Sequence, residues 1–477
     1  MRRADHQSTK IIATIGPVSS DYSQLLELAK AGVNVFRLNF SHGTHDEHRQ
    51  VIQHILYINE KYNFHLGILC DLQGPKLRVG DLRDDALELK KGDMVRFVQE
   101  PCEGTLEGIY VSYPNLGLDV KPGERVLLDD GSIVLRVKEI EVNGNVLLTV
   151  VFGGILYSRK GVNFPDTKIT MPSMTEKDIA DLDFMLTQPI NWIALSFVRS
   201  PQDINNLRVL IEAKKHNAKI IAKIEKPEAV QEIKKIIKCS NGIMVARGDL
   251  GVEMPMEKLP SIQKKIIRLC IQRARPVIVA TQMLNNMIEN PAPTRAEVTD
   301  VANAVLDGAD AVMLSGETSV GKYPIESVKV MHKIISEAES HYEMQTKRPK
   351  PAPKSGTFYS DIVCFNACKT AEEIGAKAII GMTISGYTAF KLSSYRPRPV
   401  IYIFSAEPNM LSTLNLVWGV QCFYYDKFTS TDETIHDVIE ILKMAGHLKK
   451  GDVVVNTGSM PMEKRLMTNM LKVTIVE

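Results

Sequence analysis

Short runs of β-branched and apolar residues recur along the chain, each ending in a polar or glycine-rich turn and followed by a segment with apolar residues at helical spacing. That alternation builds parallel sheets, one covering helix per strand. Eight runs carry it, at 10–15, 34–40, 65–70, 192–197, 219–224, 242–246, 276–280 and 310–314. The segments between them have helix punctuation. "SSDYSQLLELAKAG" offers Ser or Asp as N-cap and Gly32 as stop, and "PTRAEVTDVANAVLDG" starts on Pro293-Thr294 and ends at Gly308. Eight βα units predict a closed TIM (β/α)8 barrel. Val298, Val301, Ala302 and Val305 form a ridge expected to pack an outer helix against its core, with no chemistry assigned.

About 120 residues separate the third run from the fourth, far more than a barrel loop needs. The pattern there changes to alternating stretches ("RVLL", "NVLLTVVF") between closely spaced turns ("KKGD", "KPGE", "DDGS", "NGN"), which suits antiparallel β structure. A small inserted β-barrel is expected, leaving at Gly74-Pro75 and returning near "SRKGVNFP". At the C-terminal end of a barrel strand it would sit over the face where barrel enzymes keep their sites, as a lid. "KRPKPAPKSGT" reads as a proline-rich linker, and beyond it "AKAIIGM", "RPVIYIF", "GDVVVNT" and "LKVTIVE" predict an α/β domain of about five strands. The expected division is 1–74 with 161–346 for the barrel, 75–160 for the lid and 347–477 for the C-terminal domain.

Composition narrows the class without changing the picture. With 477 residues, 44% hydrophobic and 24% charged residues and a formal net charge of +2, the chain reads as an ordinary soluble protein of two or three domains. Neither nucleic acid nor a membrane is expected as a partner. The seven cysteines are odd in number and include no paired zinc spacing, which suits free thiols in a reducing compartment. The N-terminus lacks an apolar segment with a cleavage site, so a cytoplasmic location is expected.

Chemistry gathers just after the barrel runs: Arg37, Asn39, Ser41 and His42, then Asp71, Ser196, Lys223 and Glu225, Arg247 and Asp249, Thr281, and Ser315 with Glu317. Any one alone fits a structural role, and Lys223 and Glu225 at i,i+2 are also simply two strand residues on one face. Together, on seven strand ends of one barrel, they converge on a single site. Glu225 and Asp249 suit a hard divalent ion that keeps several waters, which favours magnesium over zinc or iron. Lys223 could be a structural ion-pair partner, or beside a metal could stabilise developing anionic oxygen. Arg37, Arg78, Arg247 and Lys160 concentrate positive charge fitted to phosphorylated or carboxylated substrates. No Walker sequence and no kinase glycine loop is present.

The stretches "STKIIATIGPVSS", "NVFRLNFSHGTH", "DLQGPKLR", "IAKIEKPEA", "MVARGDLGVE", "VIVATQML", "NPAPTRAEVTDVANAVLDGADAVMLSGET" and "SYRPRP" closely resemble, in order and spacing, the pyruvate kinase family over nearly the whole chain. The resemblance implies a catalytic barrel, an inserted lid, a C-terminal regulatory domain and a homotetramer. It implies phosphoryl transfer from phosphoenolpyruvate to ADP, giving pyruvate and ATP, with magnesium (or manganese) held by Glu225 and Asp249. Lys223 would stabilise phosphoryl group and enolate, and Arg37 would grip the phosphoryl group. Backbone from Ala246 through Gly248 to Asp249, with Thr281, would hold the carboxylate, and Ser196 and Arg247 would lie on the substrate side. Thr281 and Ser315, through water, are candidates for delivering the proton. Pro17, Asn39, His42, Arg78 and Lys160 would line the nucleotide.

Many members of the family have "DTKGPE" where this chain has "DLQGPK", and require potassium held at Asn, Ser, Asp and Thr positions. Asn39, Ser41 and Asp71 remain, but Leu72 removes a hydroxyl and Lys76 puts an ammonium where the family has an acid. Activity without potassium is therefore expected, with Lys76 supplying the monovalent charge. "MTISGYTAF" places Thr383, Ser385, Gly386 and Thr388 at a helix start suited either to a simple cap or to the phosphate of an activator, and Tyr387 departs from the small or basic residues common there. A magnesium-dependent barrel lyase acting on pyruvate or phosphoenolpyruvate would share the two carboxylates but not the insert or Lys160. A non-catalytic scaffold would require lost site residues, and none is missing.

Overall fold

All eight runs form strands: β1 (Lys10–Ile15), β2 (Val35–Asn39), β3 (Gly67–Asp71), β4 (Trp192–Leu195), β5 (Lys219–Ile224), β6 (Gly242–Ala246), β7 (Val277–Ala280) and β8 (Ala311–Leu314). They are parallel and close in the order β1-β8-β7-β6-β5-β4-β3-β2. The computed structural model describes residues 7–341, 349–427, 430–460 and 467–477. Residues 342–348, where the sequence sets the change from barrel to linker, lie outside the described residues.

Because side chains alternate along a strand, every second residue enters the barrel. Ile12, Val35, Leu69, Trp192, Ala194, Ile221, Met244, Ile278, Ala280, Ala311 and Met313 form that inner cluster. Ile11, Ala13, Phe36, Leu38, Ile68 and Ile220 point the other way, into the layer shared with the outer helices. The barrel floor is closed from the C-terminal region, whose buried Leu416 joins the inner cluster with Phe390 packed against it.

The helices follow their punctuation. Tyr22–Ala31 stops at Gly32, whose φ of +125° lets its amide reach back to Ala29. Arg295–Leu306 starts on a capping box in which Thr294 and Glu297 satisfy each other's amides. One expectation fails on that helix: Val301 and Val305 are buried, but Val298 is 37% exposed. It lies about one turn from the capped end at Thr294.

Between β3 and β4 lies a separate β structure with its own core, including Val95, Phe97, Leu135 and Leu148. Six strands, largely antiparallel, form one sheet, and Ala86–Leu89 pairs with Gly154–Tyr157 in a second. Past the linker, five strands form a sheet in the order Val420–Tyr424, Val400–Ser405, Ala378–Met382, Val453–Gly458, Met470–Ile475, with only the last antiparallel. Among the described residues no helix is long and apolar enough to cross a membrane.

Candidate active site

The inward alternation that fills the barrel also builds the site. Two residues beyond Val35 comes Arg37, beyond Leu69 comes Asp71, beyond Ala194 comes Ser196, and beyond Ile221 come Lys223 and then Glu225. Apolar layers thus give way to polar ones at the C-terminal end of the strands, where barrel sites form. Arg37 donates from Nε to Asp71 Oδ2 at 2.8 Å, approaches the same oxygen with Nη2 at 2.6 Å, and gives Nη1 to Thr14 Oγ1 at 3.0 Å. Lys223 Nζ stands 3.3 Å from Asp71 Oδ1 and 3.0 Å from Glu225 Oε1, and donates to Ser196 Oγ at 2.6 Å. The Ser196 hydroxyl in turn donates a hydrogen bond to the Leu72 carbonyl at 2.7 Å.

Charge in this cluster is unevenly satisfied. Burial alone would raise the Asp71 carboxyl, but Lys223 and Arg37 outweigh it and hold it below the usual carboxylate range. Lys223 is pushed above the ordinary lysine value, because Asp71 and Glu225 overcome the desolvation that works against its charge. It is therefore a fixed ammonium and no proton donor or acceptor near neutral pH. Glu225 shifts the opposite way. Its burial and the nearby Asp249 charge raise it, despite Lys223 and an amide bond from Phe197 at 2.6 Å. Two carboxylates in mutual repulsion, one of them buried, fit a divalent cation bound between them. Among the described residues no group of three or more His, Cys, Asp or Glu could hold a metal. The remaining ligands of such an ion would have to be waters and substrate oxygens, as suits magnesium.

The helix Arg247–Glu253 begins where β6 ends, carrying Gly248 and Asp249 in its first turn. Gly248 donates its amide to Thr281 Oγ1 at 2.7 Å, and that hydroxyl donates to the Ala280 carbonyl at 2.6 Å. Thr281 holds a φ of +69°, unusual for a β-branched residue, and Phe197 after β4 is at +52°. Non-glycine residues in this region of backbone space gather at functional sites. Arg247 is turned to the protein rather than to the barrel mouth: Asp300 takes Nη1 at 2.7 Å and the Thr281 carbonyl takes Nη2 at 2.7 Å. Glu317, a candidate by sequence, is buried and used by the backbone, accepting from Leu284 at 3.0 Å and Ser315 at 2.7 Å. Ser315 itself remains half-buried.

The other sequence candidates are more dispersed. Pro17 and His42 are exposed, and Asn39 Oδ1 accepts from the Ser41 amide at 3.3 Å. Arg78 donates to the Arg159 carbonyl at 2.9 Å, and Lys160 pairs with Asp129 at 2.9 Å, so both are held within the insert. Gly74, at φ +71°, makes the exit turn; a Cβ there would come within 2.8 Å of the Phe197 ring, so no other residue fits. Lys76 is exposed, has no acidic partner among the described residues, and lines a cavity between insert and barrel with Phe197, Lys226, Asp249 and Glu253. Asn163, at the insert's return, donates to Glu253 Oε1 at 2.7 Å and ties insert to barrel. In the C-terminal region Thr383 Oγ1 accepts from the Gly386 amide at 3.0 Å, Ser385 is exposed, and Thr388 bonds Thr468 at 2.6 Å. Tyr387 turns its hydroxyl to Asp361.

Several contributors escape a sequence reading. Thr14, which orients Arg37, lies two residues past the inward Ile12 and was legible in principle from that alternation. Asp178 both completes a helix capping box with Thr175 and accepts from the Gly74 amide at 3.0 Å. Asp300 and the Phe197 amide act across long sequence separations, and no local signal marks them.

Barrel, lid and a cation-lined polar cluster at the strand ends define a barrel enzyme fitted to an anionic substrate. A family model described as pyruvate kinase, barrel domain, matches residues 6–328, and one described as pyruvate kinase, alpha/beta domain, matches residues 361–474. The chain is 43% identical to a pyruvate kinase of Clostridium acetobutylicum over 99% of its own length and 100% of that relative, and 42% identical to one of Geobacillus stearothermophilus over 98% and 80%. A crystal structure of a pyruvate kinase from Cryptosporidium parvum superposes with a TM-score of 0.92 at 34% identity, covering 99% of this chain and 96% of that one. The chain belongs to the pyruvate kinase family.

Proposed function

We propose that this enzyme moves the phosphoryl group of phosphoenolpyruvate onto ADP, yielding pyruvate and ATP, with magnesium held by Glu225 and Asp249. The observation that carries this reading is Lys223, a permanently charged ammonium fixed by Asp71, Glu225 and Ser196 at the mouth of the barrel. When bound, the metal supplies charge stabilisation to the oxygens of the transferring group. Arg37, braced by Asp71 and Thr14, keeps N–H donors on both terminal nitrogens for the phosphoryl oxygens. The bond from phosphorus to the enol oxygen breaks as one forms to the terminal oxygen of ADP. The released electron pair stays on the enol oxygen, where Lys223 stabilises it.

The resulting enolate takes a proton at its terminal carbon from Thr281 or Ser315 through water. The Asp249 amide, with the Gly248 amide and the Thr281 hydroxyl once these two release each other, holds the substrate carboxylate, Ser196 and Arg247 support that side, and Pro17, Asn39, His42, Arg78 and Lys160 line the nucleotide once the lid closes. The division is barrel (1–74 and 161–346), lid (75–160) and C-terminal domain (347–477); separate apolar cores support three bodies, with the lid core running past residue 160 through Val162 and Phe164.

Potassium independence is part of the same reading. Both oxygens of Asp71 already face Arg37 or Lys223, Leu72 offers no hydroxyl, and Lys76, with no ion-pair partner among the described residues, lines the lid cavity that Asp249 also lines. A phosphorylated activator at Thr383, Ser385, Gly386 and Thr388, a homotetramer and a cytoplasmic location complete it. Phosphorus NMR of a mixture of phosphoenolpyruvate, ADP and magnesium tests the reaction: equal loss of phosphoenolpyruvate and gain of ATP is expected, and release of inorganic phosphate without ATP would overturn it.

A further inference from the structure

A cleft of about 890 Å³ opens far from the lid, between the underside of the barrel, the linker and the C-terminal domain. That volume is of the size that holds a small metabolite. Its barrel wall is the turn after the helix Leu259–Gln272, carrying Arg273 and Arg275; its linker wall carries Lys350 and Lys354. None of these four cations has an ion-pair partner among the described residues. The one acid lining the cleft, Asp361, is already taken by Lys391 at 3.0 Å and by the Tyr387 hydroxyl.

Positive charge is also crowded behind the cleft. Lys219 lies 5.9 Å from the ring of Phe390, which lines the cleft. Its ammonium is held below the ordinary lysine value by burial and by Arg275 and Arg208. Arg275 is likewise lowered by burial, by Arg208 and by Arg273, offset only in part by the Cys270 thiol, and has no carboxylate partner among the described residues. Arg208 spends itself on the Cys239 carbonyl. Partly buried like charges without counter-charge destabilise a fold unless something anionic answers them.

We infer that the cleft formed by Arg273, Arg275, Lys350 and Lys354 binds a small metabolite bearing more than one phosphate group, and so bridges the barrel to the C-terminal domain. Guanidinium groups on one wall and ammonium groups on the other suit two separate phosphates, and the proline and tyrosine surface between them suits the body joining them. This site is distinct from the Thr383–Thr388 loop, although Tyr387 touches both.

Calorimetric titration of the full chain with inorganic pyrophosphate, in buffer free of divalent ions, tests the inference. Wild type should bind it, the Arg275→Gln, Lys354→Gln double variant should bind about tenfold more weakly or worse, and the Thr383→Ala, Ser385→Ala and Lys223→Met variants should keep the binding event that the cleft variant loses. Unchanged binding in the cleft variant, or loss only in the loop or Lys223 variants, overturns it. Should the Arg275 change impair folding, the exposed Lys350→Gln, Lys354→Gln pair must still weaken binding and must reduce the rise in melting temperature that pyrophosphate gives wild type; no change in either refutes the cleft.

Discussion

Arg37 and Asp71 meet through two nitrogens on a single oxygen, Nε at 2.8 Å and Nη2 at 2.6 Å, leaving the other carboxylate oxygen to Lys223 at 3.3 Å. One buried acid thus sets the position of the two cations that would meet the phosphoryl group. Replacing Asp71 by Asn leaves both cations buried beside a neutral amide. Breaking a buried pair in this way costs about 3–5 kcal/mol. Urea denaturation should show a loss of that size at pH 7. The wild-type contribution is present above the ordinary Asp value of 3.8 and disappears as pH falls through the lower folded value, so the gap between wild type and Asp71→Asn should close in acid.

Lys223→Met keeps most of the unbranched side chain, one atom shorter, and removes the charge. A drop in kcat on the order of 10²–10³-fold or more is expected, the scale of losing one preorganised electrostatic group. Circular dichroism should remain that of the wild type. A variant with near-normal kcat would remove Lys223 from the chemistry.

Glu225 links metal binding to pH. Its carboxyl is raised above the usual 4.5, so without metal the native state holds the proton more tightly than the unfolded chain does. Its ionisation therefore costs stability as pH rises through the range above 4.5. A divalent ion needs the ionised form and removes that cost. Magnesium should raise the melting temperature less as pH falls toward 4.5 than it does at pH 8, and the same pH dependence persisting in Glu225→Gln would exclude Glu225 as its source.

Asp300 should act through Arg247. Asp300→Asn removes a charged partner of a guanidinium that also holds the Thr281 carbonyl. A charge-assisted bond of this kind is worth about 1.5–3 kcal/mol. The expected signature is a higher KM for phosphoenolpyruvate together with a lower kcat, because Thr281 shifts; a change in thermal stability alone would make the contact merely structural.

Lys76→Glu restores the acid found in much of the family. Activity should fall in potassium-free buffer and recover in part on adding potassium, and an unaffected variant would leave Lys76 without a role.

The barrel was legible because its strands are buried on both faces and its turns are polar, so every run stood out. The insert announced itself through spacing and through the change from unbroken to alternating patterns. The site was legible to the extent that it follows the inward alternation, as Arg37, Asp71, Ser196, Lys223 and Glu225 do. Arg247 shows the limit: its place in the sequence is right for a ligand contact, yet Asp300, two α-helices later, turns it into the protein. The positive φ of Thr281 and Phe197 was equally hidden, since neither residue type signals it.

The most direct measurement is pyruvate formation, coupled to lactate dehydrogenase, from phosphoenolpyruvate and ADP with magnesium in potassium-free buffer. Magnesium-dependent pyruvate production with no further rise on adding potassium is the predicted result. No magnesium-dependent pyruvate would contradict the assigned chemistry, and pyruvate only when potassium is present would contradict the role given to Lys76.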